Sequence, residues 1–297
     1  MASTLNDQAT KSDRISMINE MFIRTADEDY ITARWALANG LTSPFCWLSA
    51  HCVEKYLKAV LLANDQTAKG YGHNIIQLYN DVKKLAGATL PTRFIRPEWV
   101  NAELWRDENP DHFVQRLSKY GVSDNRYMVF GYAVLQQDLF MLDQLVFSVR
   151  RLVHDLDSSI FGDRRSKPTF REVFSDDFSS KFNMAQPLDK CLAQPDNFAF
   201  SNAALNRNFP FAANGFPHSG TVGGHSFSEP VILRRILEPL GHENHEYIRN
   251  GLSTAKWLLE NVSLPKEVKN QIKASINTAE ARIKSPQNSS PKSSSRT

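Results

Sequence analysis

The sequence predicts an all-α protein, and three observations support this prediction. Apolar residues recur every three or four positions in several separate segments, which is the spacing that lines one face of a helix. Glycine or proline stands at the ends of these segments, where helices stop or start. The 297 residues are 41% apolar, which is enough for a packed core. We therefore expect a helical bundle.

Three helices are predicted in the first 90 residues. The first spans residues 13–38, starts after Ser12 and ends at Gly40. Its apolar face consists of Ile15, Ile18, Phe22, Tyr30, Ala33 and Leu37. The second starts at Pro44, and its apolar stripe consists of Leu48, Cys52, Tyr56 and Val60. The third runs from Ile75 to Leu85, and Gly87 stands where a left-handed terminating residue is expected.

The next segment is less regular, and a strict repeat follows it. Proline punctuates residues 88–120, which we interpret as a variable connection with one short helix around residues 99–105. From Met128 to Leu156 apolar residues alternate steps of four and three, which predicts one helix of about 45 Å at 1.5 Å per residue. Such a seam packs inside a bundle or meets a copy of itself, and it favours a homodimer.

The chain is predicted to have four parts. Residues 1–162 form the bundle, and residues 163–230 form an irregular linker rich in Phe, Asn and Gly, with one helix at its phenylalanine repeat. Residues 231–285 form C-terminal helices, predicted over 230–240, 243–262 and 265–283. Residues 286–297 are Ser-, Pro- and Lys-rich and form a disordered tail.

Composition excludes several classes of protein. A formal charge of +3 is too small to indicate a general polyanion-binding surface, so any RNA contact must come from a local patch. Three cysteines without a close pair argue against disulfides and against a structural zinc site. His242 and His245 have the spacing of a metal-ligand pair, but no third ligand is evident in the sequence. We expect no metal, cofactor or membrane span. The polar first twenty residues lack the apolar stretch of a signal peptide, so we expect a cytoplasmic protein.

The second predicted helix carries a family resemblance. It contains the element Glu54-Lys55-xx-Lys58, and Gly72-His73 follows it before the third helix. Arg126-Tyr127 precedes the last long helix. Over residues 15–158 this pattern resembles the HEPN domain family. The resemblance implies an up-and-down bundle of four or five helices, here with a C-terminal helical extension, that is often dimeric. Lys55, Lys58, His73, Arg126 and Tyr127 are the candidate ligand-binding residues, because they offer cationic and hydrogen-bonding groups to a phosphate of RNA or a nucleotide if the bundle brings them to one side. The alternative is a structural role, in which Glu54 and Lys58 form an i,i+4 helix pair and Arg126 pairs with a carboxylate such as Glu54.

Catalytic members of the family carry an arginine, a polar residue after it, and a histidine four to six residues further on. Histidine supplies the acid or base of metal-independent RNA cleavage, and arginine stabilises the phosphate charge. Arg106 and His112 have this spacing, but they lie ahead of the final helix, at whose start the family motif is usually found.

We therefore predict a non-catalytic module that binds RNA, a nucleotide or a protein partner such as a nucleotidyltransferase. The first alternative is a metal-independent endoribonuclease of toxin or antiviral type that uses Arg106 and His112. The second is a protein-interaction scaffold that uses the linker and the C-terminal helices.

Overall fold

The computed structural model describes residues 14–122, 125, 131–161, 167–176, 183–195, 200–219, 226–228, 231–261 and 264–284. Within these residues the chain forms eleven α-helices and one two-stranded sheet, so the predicted all-α class is confirmed. The chain divides into two compact units, one from residues 1–126 and 133–227 and the other from residues 127–132 and 228–297. Among the described helices, none has the length and apolarity to cross a membrane.

Five helices form the bundle of the first unit. They are α1 (Arg24–Ala38), α2 (Thr42–Ala63), α3 (Ile75–Ala86), α4 (Pro110–Tyr120) and α5 (Gln137–Arg150). Residues 14–18 and a π-helix at Asn19–Ile23 extend α1 at its N-terminus. Helix α2 lies at the centre, because α1, α3, α4 and α5 each pack against it. Tyr30, Tyr56, Phe113 and Phe140 are fully buried in this core.

Local chemistry sets the helix ends that the sequence predicts. Gly40 has a φ of +74° in the short turn that reverses the chain between α1 and α2, and Gly87 has a φ of +61° after α3. Both values lie in the region that glycine adopts without steric cost. The Asn74 side chain accepts a hydrogen bond from the Gln77 backbone N–H and caps the start of α3.

Helix α4 lies in the segment predicted to be a variable connection. Asn109 caps it by accepting from the His112 N–H at 2.9 Å, and Pro110 occupies the first turn. The short helix expected around residues 99–105 is a single 3₁₀ turn at Ala102–Leu104. The prolines obscured α4 because Pro110 opens a helix here and does not interrupt one.

The predicted long helix from Met128 to Leu156 is wrong. Met128 lies outside the described residues, Tyr132–Val134 is a strand, β1, and helix α5 ends at Arg150. The apolar repeat extends beyond both ends of the helix because the residues there are also buried. Val134 before α5, and Leu152 and Leu156 after it, are at most 1% exposed. All fourteen residues of α5 are buried, so the seam packs inside its own bundle.

Residues 163–230 contain more structure than the predicted linker. Three short helices lie in their described part: α6 (Phe170–Asp176), α7 (Pro187–Ala193) and α8 (Ser201–Leu205). Helices α7 and α8 pack against α1 and against each other. A second strand, β2 (Ser226–Ser228), pairs with β1. Of the phenylalanine repeat, Phe170 and Phe174 belong to α6, and Phe178 and Phe182 lie outside the described residues.

Buried ion pairs hold this segment on the bundle. Arg150 of α5 binds Asp27 of α1 at 2.9 Å and Asp189 of α7 at 2.7 Å. Burial by itself disfavours the charged form of Arg150. The attraction of the Asp27 carboxylate outweighs this effect, so the pKa of Arg150 is raised well above its usual value. A second pair joins Arg34 to Asp143 at 2.8 Å. The guanidinium of Arg34 also donates to the Asn206 carbonyl oxygen at 3.0 Å, on the chain beyond α8.

The described residues of the second unit form three helices: α9 (Val231–Gly241), α10 (His245–Asn261) and α11 (Lys266–Lys284). They agree with the helices predicted over 230–240, 243–262 and 265–283 to within two residues at every end. Each helix packs against the other two. Their shared core consists of Ile236, Leu240, Ile248, Leu252, Ala255, Leu264, Val268, Ile272, Ile276 and Ala279.

Candidate functional site

Glu54 brings together two of the residues predicted to bind a ligand. Its carboxylate accepts from Lys58 Nζ at 2.6 Å, and its other oxygen lies 3.0 Å from His73 Nδ1. Lys58 also donates to the Gly72 carbonyl oxygen at 2.8 Å, which ties α2 to the turn before α3. Gly72 has a φ of +56°, a value that suits glycine. Lys58 and His73 therefore share a buried carboxylate.

Lys55 points to a different neighbour. Its ammonium group donates to Asp29 at 2.7 Å and to the Thr25 carbonyl oxygen at 3.3 Å, both on the α1 side of α2. The side chains of Lys55 and Lys58 are only 29% and 18% exposed. Because each already has a carboxylate partner, neither is a free cation for a phosphate group.

Of the remaining predicted residues, Arg126 and Tyr127 lie outside the described residues. Arg106 lies before α4, and His112 lies in the first turn of this helix. The backbone of Arg106 is held by the Gln137 side chain, which accepts from its N–H at 2.7 Å and donates to its carbonyl oxygen at 2.8 Å. Both side chains are exposed, and no hydrogen bond joins them in the described structure.

A small cavity of about 140 Å³ lies beside Glu54. Its walls come from α2, the start of α3 and the end of α4. They consist of Trp47, Ala50, His51, Glu54, His73, Ile75, Ser118, Gly121 and Val122. Gly121 is required at this contact, because a Cβ there would lie 2.3 Å from Ala50 Cβ and 2.7 Å from the Cys46 carbonyl oxygen. The absence of a side chain lets the end of α4 close against α2.

Two rings on α2 line this cavity. The centroid of His51 lies 3.9 Å from that of Trp47, and the rings are inclined at 43°. The ring of His73 lies 6.3 Å from His51 and is parallel to it within 4°. Burial lowers the pKa of His51 below its usual value, so this imidazole is neutral at neutral pH and offers one donor and one acceptor.

The sequence interpretation missed Trp47 and His51, although a signal was present. Trp47, His51, Glu54 and Lys58 are spaced by four, three and four residues, which places them on one face of α2. That face carries rings and charges and turns towards the entry of α3. The missing information was the position of α4, whose end at Gly121 and Val122 closes the cavity.

The arginines near the end of α5 have a structural role. Arg150 and Arg151 are both 3% exposed. Arg151 donates to the Thr89 carbonyl oxygen at 3.0 Å and lies over the Phe174 ring at 5.3 Å, so it holds α6 against the turn after α3. His154 is packed against Phe170 with a ring separation of 4.3 Å. Arg150 and Arg151 are therefore buried and bound within the fold.

The family model of the HEPN domain matches residues 19–121. Residues 19–121 are a HEPN domain. The match contains the cavity residues from Trp47 to Gly121 together with Arg106 and His112, and it ends before Arg126. No family model matches the rest of the chain. No curated protein and no solved structure matches the chain as a whole. HEPN domains are known for RNA binding and for ribonuclease activity.

Proposed function

We propose that this chain is a HEPN module that binds RNA or a nucleotide without cleaving it, and that a base enters the cavity beside Glu54. The observation that carries the proposal is a preformed cavity with aromatic walls inside the matched domain. The cavity volume of about 140 Å³ is smaller than the roughly 300–1,000 Å³ of typical small-molecule and cofactor sites, which favours a ligand group as small as one base. Bases stack on aromatic side chains, and each such contact contributes about 1–3 kcal/mol.

The polar groups of the cavity suit recognition of a base edge. The neutral His51 ring can donate and accept one hydrogen bond each. His73 directs Nδ1 to Glu54, and its side chain is 85% exposed, so Nε2 faces the solvent and is available to a sugar or phosphate oxygen. Arg126 and Tyr127 remain predicted contacts to the same ligand.

Binding is favoured over cleavage because the described residues that line the cavity include no lysine or arginine, and the two lysines nearest to it are paired with carboxylates. Cleavage of a phosphodiester requires stabilisation of the charge that develops on the phosphate. Lys55 is bound to Asp29 and Lys58 to Glu54, so their charges are already compensated. A substitution of both lysines is therefore expected to weaken the fold more than it weakens ligand binding.

The proposal is tested by fluorescence anisotropy with a labelled single-stranded RNA and with labelled ATP. Trp47→Ala and His51→Ala are each expected to lower the affinity for at least one of these probes about fivefold or more. Trp257→Ala is the matched control, because Trp257 is 58% exposed and belongs to the second unit. The absence of binding by the wild type to both probes contradicts the proposal.

An endoribonuclease that uses Arg106 and His112 is the second candidate. One observation favours it: three of the five residues between the two, Asp107–Asn109, line a groove of about 730 Å³ together with Arg93 and Arg96, although Arg106 and His112 themselves are not among the lining residues. Incubation of the pure protein with total RNA in EDTA, beside His112→Ala, is the test. Metal-independent cleavage that the substitution abolishes supports the enzyme, and intact RNA rejects it.

A homodimer and a nucleotidyltransferase partner remain proposals from the family resemblance, since HEPN domains often dimerise. The α5 seam does not supply the dimer interface, because it is buried in the bundle. Light scattering at tens of micromolar is expected to give twice the chain mass of 33.7 kDa. A value near the mass of one chain rejects the homodimer.

A further inference from the structure

We propose that Trp99, Arg207 and His218 form an accessory subsite, which stacks one base of single-stranded RNA and holds an adjacent phosphate. The inference rests on the proposed function, and it places an RNA contact outside the cavity beside Glu54. Trp99 lies in the connection before α4, and Arg207 and His218 follow α8. Arg207 and His218 lie outside the matched residues 19–121, so this chain adds them to the HEPN domain.

Trp99 offers a fixed aromatic surface. It is 47% exposed although three rings surround it. Phe140 and Phe209 meet it nearly edge to face, at centroid distances of 6.4 and 6.3 Å, and His218 lies 5.9 Å away. Because Phe140 is fully buried in helix α5, the ring that packs against Trp99 is fixed by the core, and the exposed part of the indole is free for a base to stack on.

Among the described residues, Arg207 is a cation without a carboxylate partner. Its Nε is buried and has no hydrogen-bond partner, and among the described residues its side chain forms no ion pair. The buried arginines differ, since Arg34 and Arg150 are each bound to carboxylates. A guanidinium group can donate two parallel hydrogen bonds to a phosphate, and this geometry makes arginine suited to such a ligand.

The backbone at Arg207 is also unusual. Its φ is +57°, a left-handed conformation that a side chain with a Cβ rarely adopts. Strained residues of this kind concentrate at ligand-binding positions, where the surrounding structure holds them. The Arg207 N–H donates to His218 Nδ1 at 2.8 Å, which leaves the proton of the neutral ring on Nε2. Burial, followed by the charges of Arg207 and Arg34, lowers the pKa of His218, so the ring is a neutral donor.

Hydrogen bonds to the bundle make the subsite rigid. The Asn206 side chain donates to the Ser219 carbonyl oxygen at 2.8 Å and accepts from its N–H at 3.0 Å, which closes the loop that carries both Arg207 and His218. Asn208 donates to the Tyr30 hydroxyl oxygen at 2.9 Å. A preorganised loop loses little conformational entropy when a ligand binds.

The test uses fluorescence anisotropy with a labelled single-stranded RNA of twelve nucleotides. Arg207→Gly removes the guanidinium and suits the positive φ, so its melting temperature is expected to equal or exceed that of the wild type. Its affinity for the RNA is expected to fall about fivefold or more, and the slope of log affinity against log salt is expected to shrink by about 0.7. Trp99→Ala is expected to lose about fivefold or more through stacking.

Arg24→Ala is the matched control. Arg24 is 56% exposed and bound to Glu20 and Glu28, and its substitution removes the same charge elsewhere on the bundle. The subsite is supported when Arg207→Gly and Trp99→Ala bind more weakly than Arg24→Ala. When both variants bind as tightly as this control, the subsite is overturned and the proposed function stands. When the wild type binds labelled ATP but not the RNA, the subsite alone is overturned, and when it binds neither probe, both are overturned.

Discussion

Acidification is expected to destabilise the first unit through His154. This residue follows α5, and its ring is stacked on Phe170, parallel within 5° at a centroid distance of 4.3 Å. Burial, followed by the nearby charge of Arg150, lowers the pKa of His154 from 6.5 to about 4. The folded state therefore resists protonation of a ring that the unfolded chain protonates readily.

The direction and size of the effect follow from proton linkage. Between pH 6.5 and about 4 the unfolded chain binds more protons at His154 than the folded protein does. Stability from this residue is complete above pH 6.5 and is lost as the pH falls towards 4. Each pH unit inside the window corresponds to about 1.4 kcal/mol, so a change from pH 7.5 to 5.0 lowers the free energy of unfolding by about 2 kcal/mol.

Urea denaturation of the wild type and of His154→Phe at both pH values measures this difference. The phenylalanine ring preserves the stacking on Phe170 but cannot bind a proton. We expect the wild type to lose about 2 kcal/mol more than the variant on acidification. His112→Phe is the control, because that ring is exposed, and it should lose as much as the wild type. Equal losses by His154→Phe and the wild type would refute the reasoning.

Three further variants test the packing of the first unit, and Gly241→Ala in the second unit is the control for one of them. Gly121→Ala forces a Cβ against Ala50 and is expected to lower the free energy of unfolding, measured by urea denaturation, by about 1–3 kcal/mol. At Gly241 a Cβ meets no atom within 4 Å, so Gly241→Ala should leave the free energy of unfolding nearly unchanged. Asp143→Asn leaves the charge of Arg34 buried without its carboxylate, with an expected loss of about 3–5 kcal/mol by the same measurement. Replacing both partners, as Arg34→Met with Asp143→Leu, should cost less than Asp143→Asn; a larger cost would contradict the role assigned to the pair.

Much of the first unit was predictable because its signals are local. The apolar stripes of α1, α2 and α3 and the terminating glycines Gly40 and Gly87 depend only on residues within a few positions of each other. The element from Glu54 to Lys58 with His73 likewise identified the family that the match over residues 19–121 shows. The C-terminal helices were found on the same grounds.

The candidate site was predictable only in part. Lys58 and His73 meet at Glu54, but Lys55 turns to Asp29 in α1, a contact that the order of residues along α2 does not reveal. Trp47 and His51 lie on the same face of α2 as Glu54, which the sequence indicates. They line a cavity only because Gly121 lets the end of α4 pack against Ala50.

By itself the sequence determined the helical class, most helix ends and the HEPN character of residues 19–121, because each depends on neighbouring residues. Only the tertiary structure decided where α5 stops and where the chain after α6 lies. The apolar repeat from Met128 to Leu156 records burial, and burial is shared by helix, strand and turn. Arg34 and Asn206 are 172 residues apart in sequence, and nothing local marks them as partners. A buried guanidinium group needs hydrogen-bond acceptors close to it, and the packing of the helices decides which acceptors lie there. The contact is therefore a property of the whole fold.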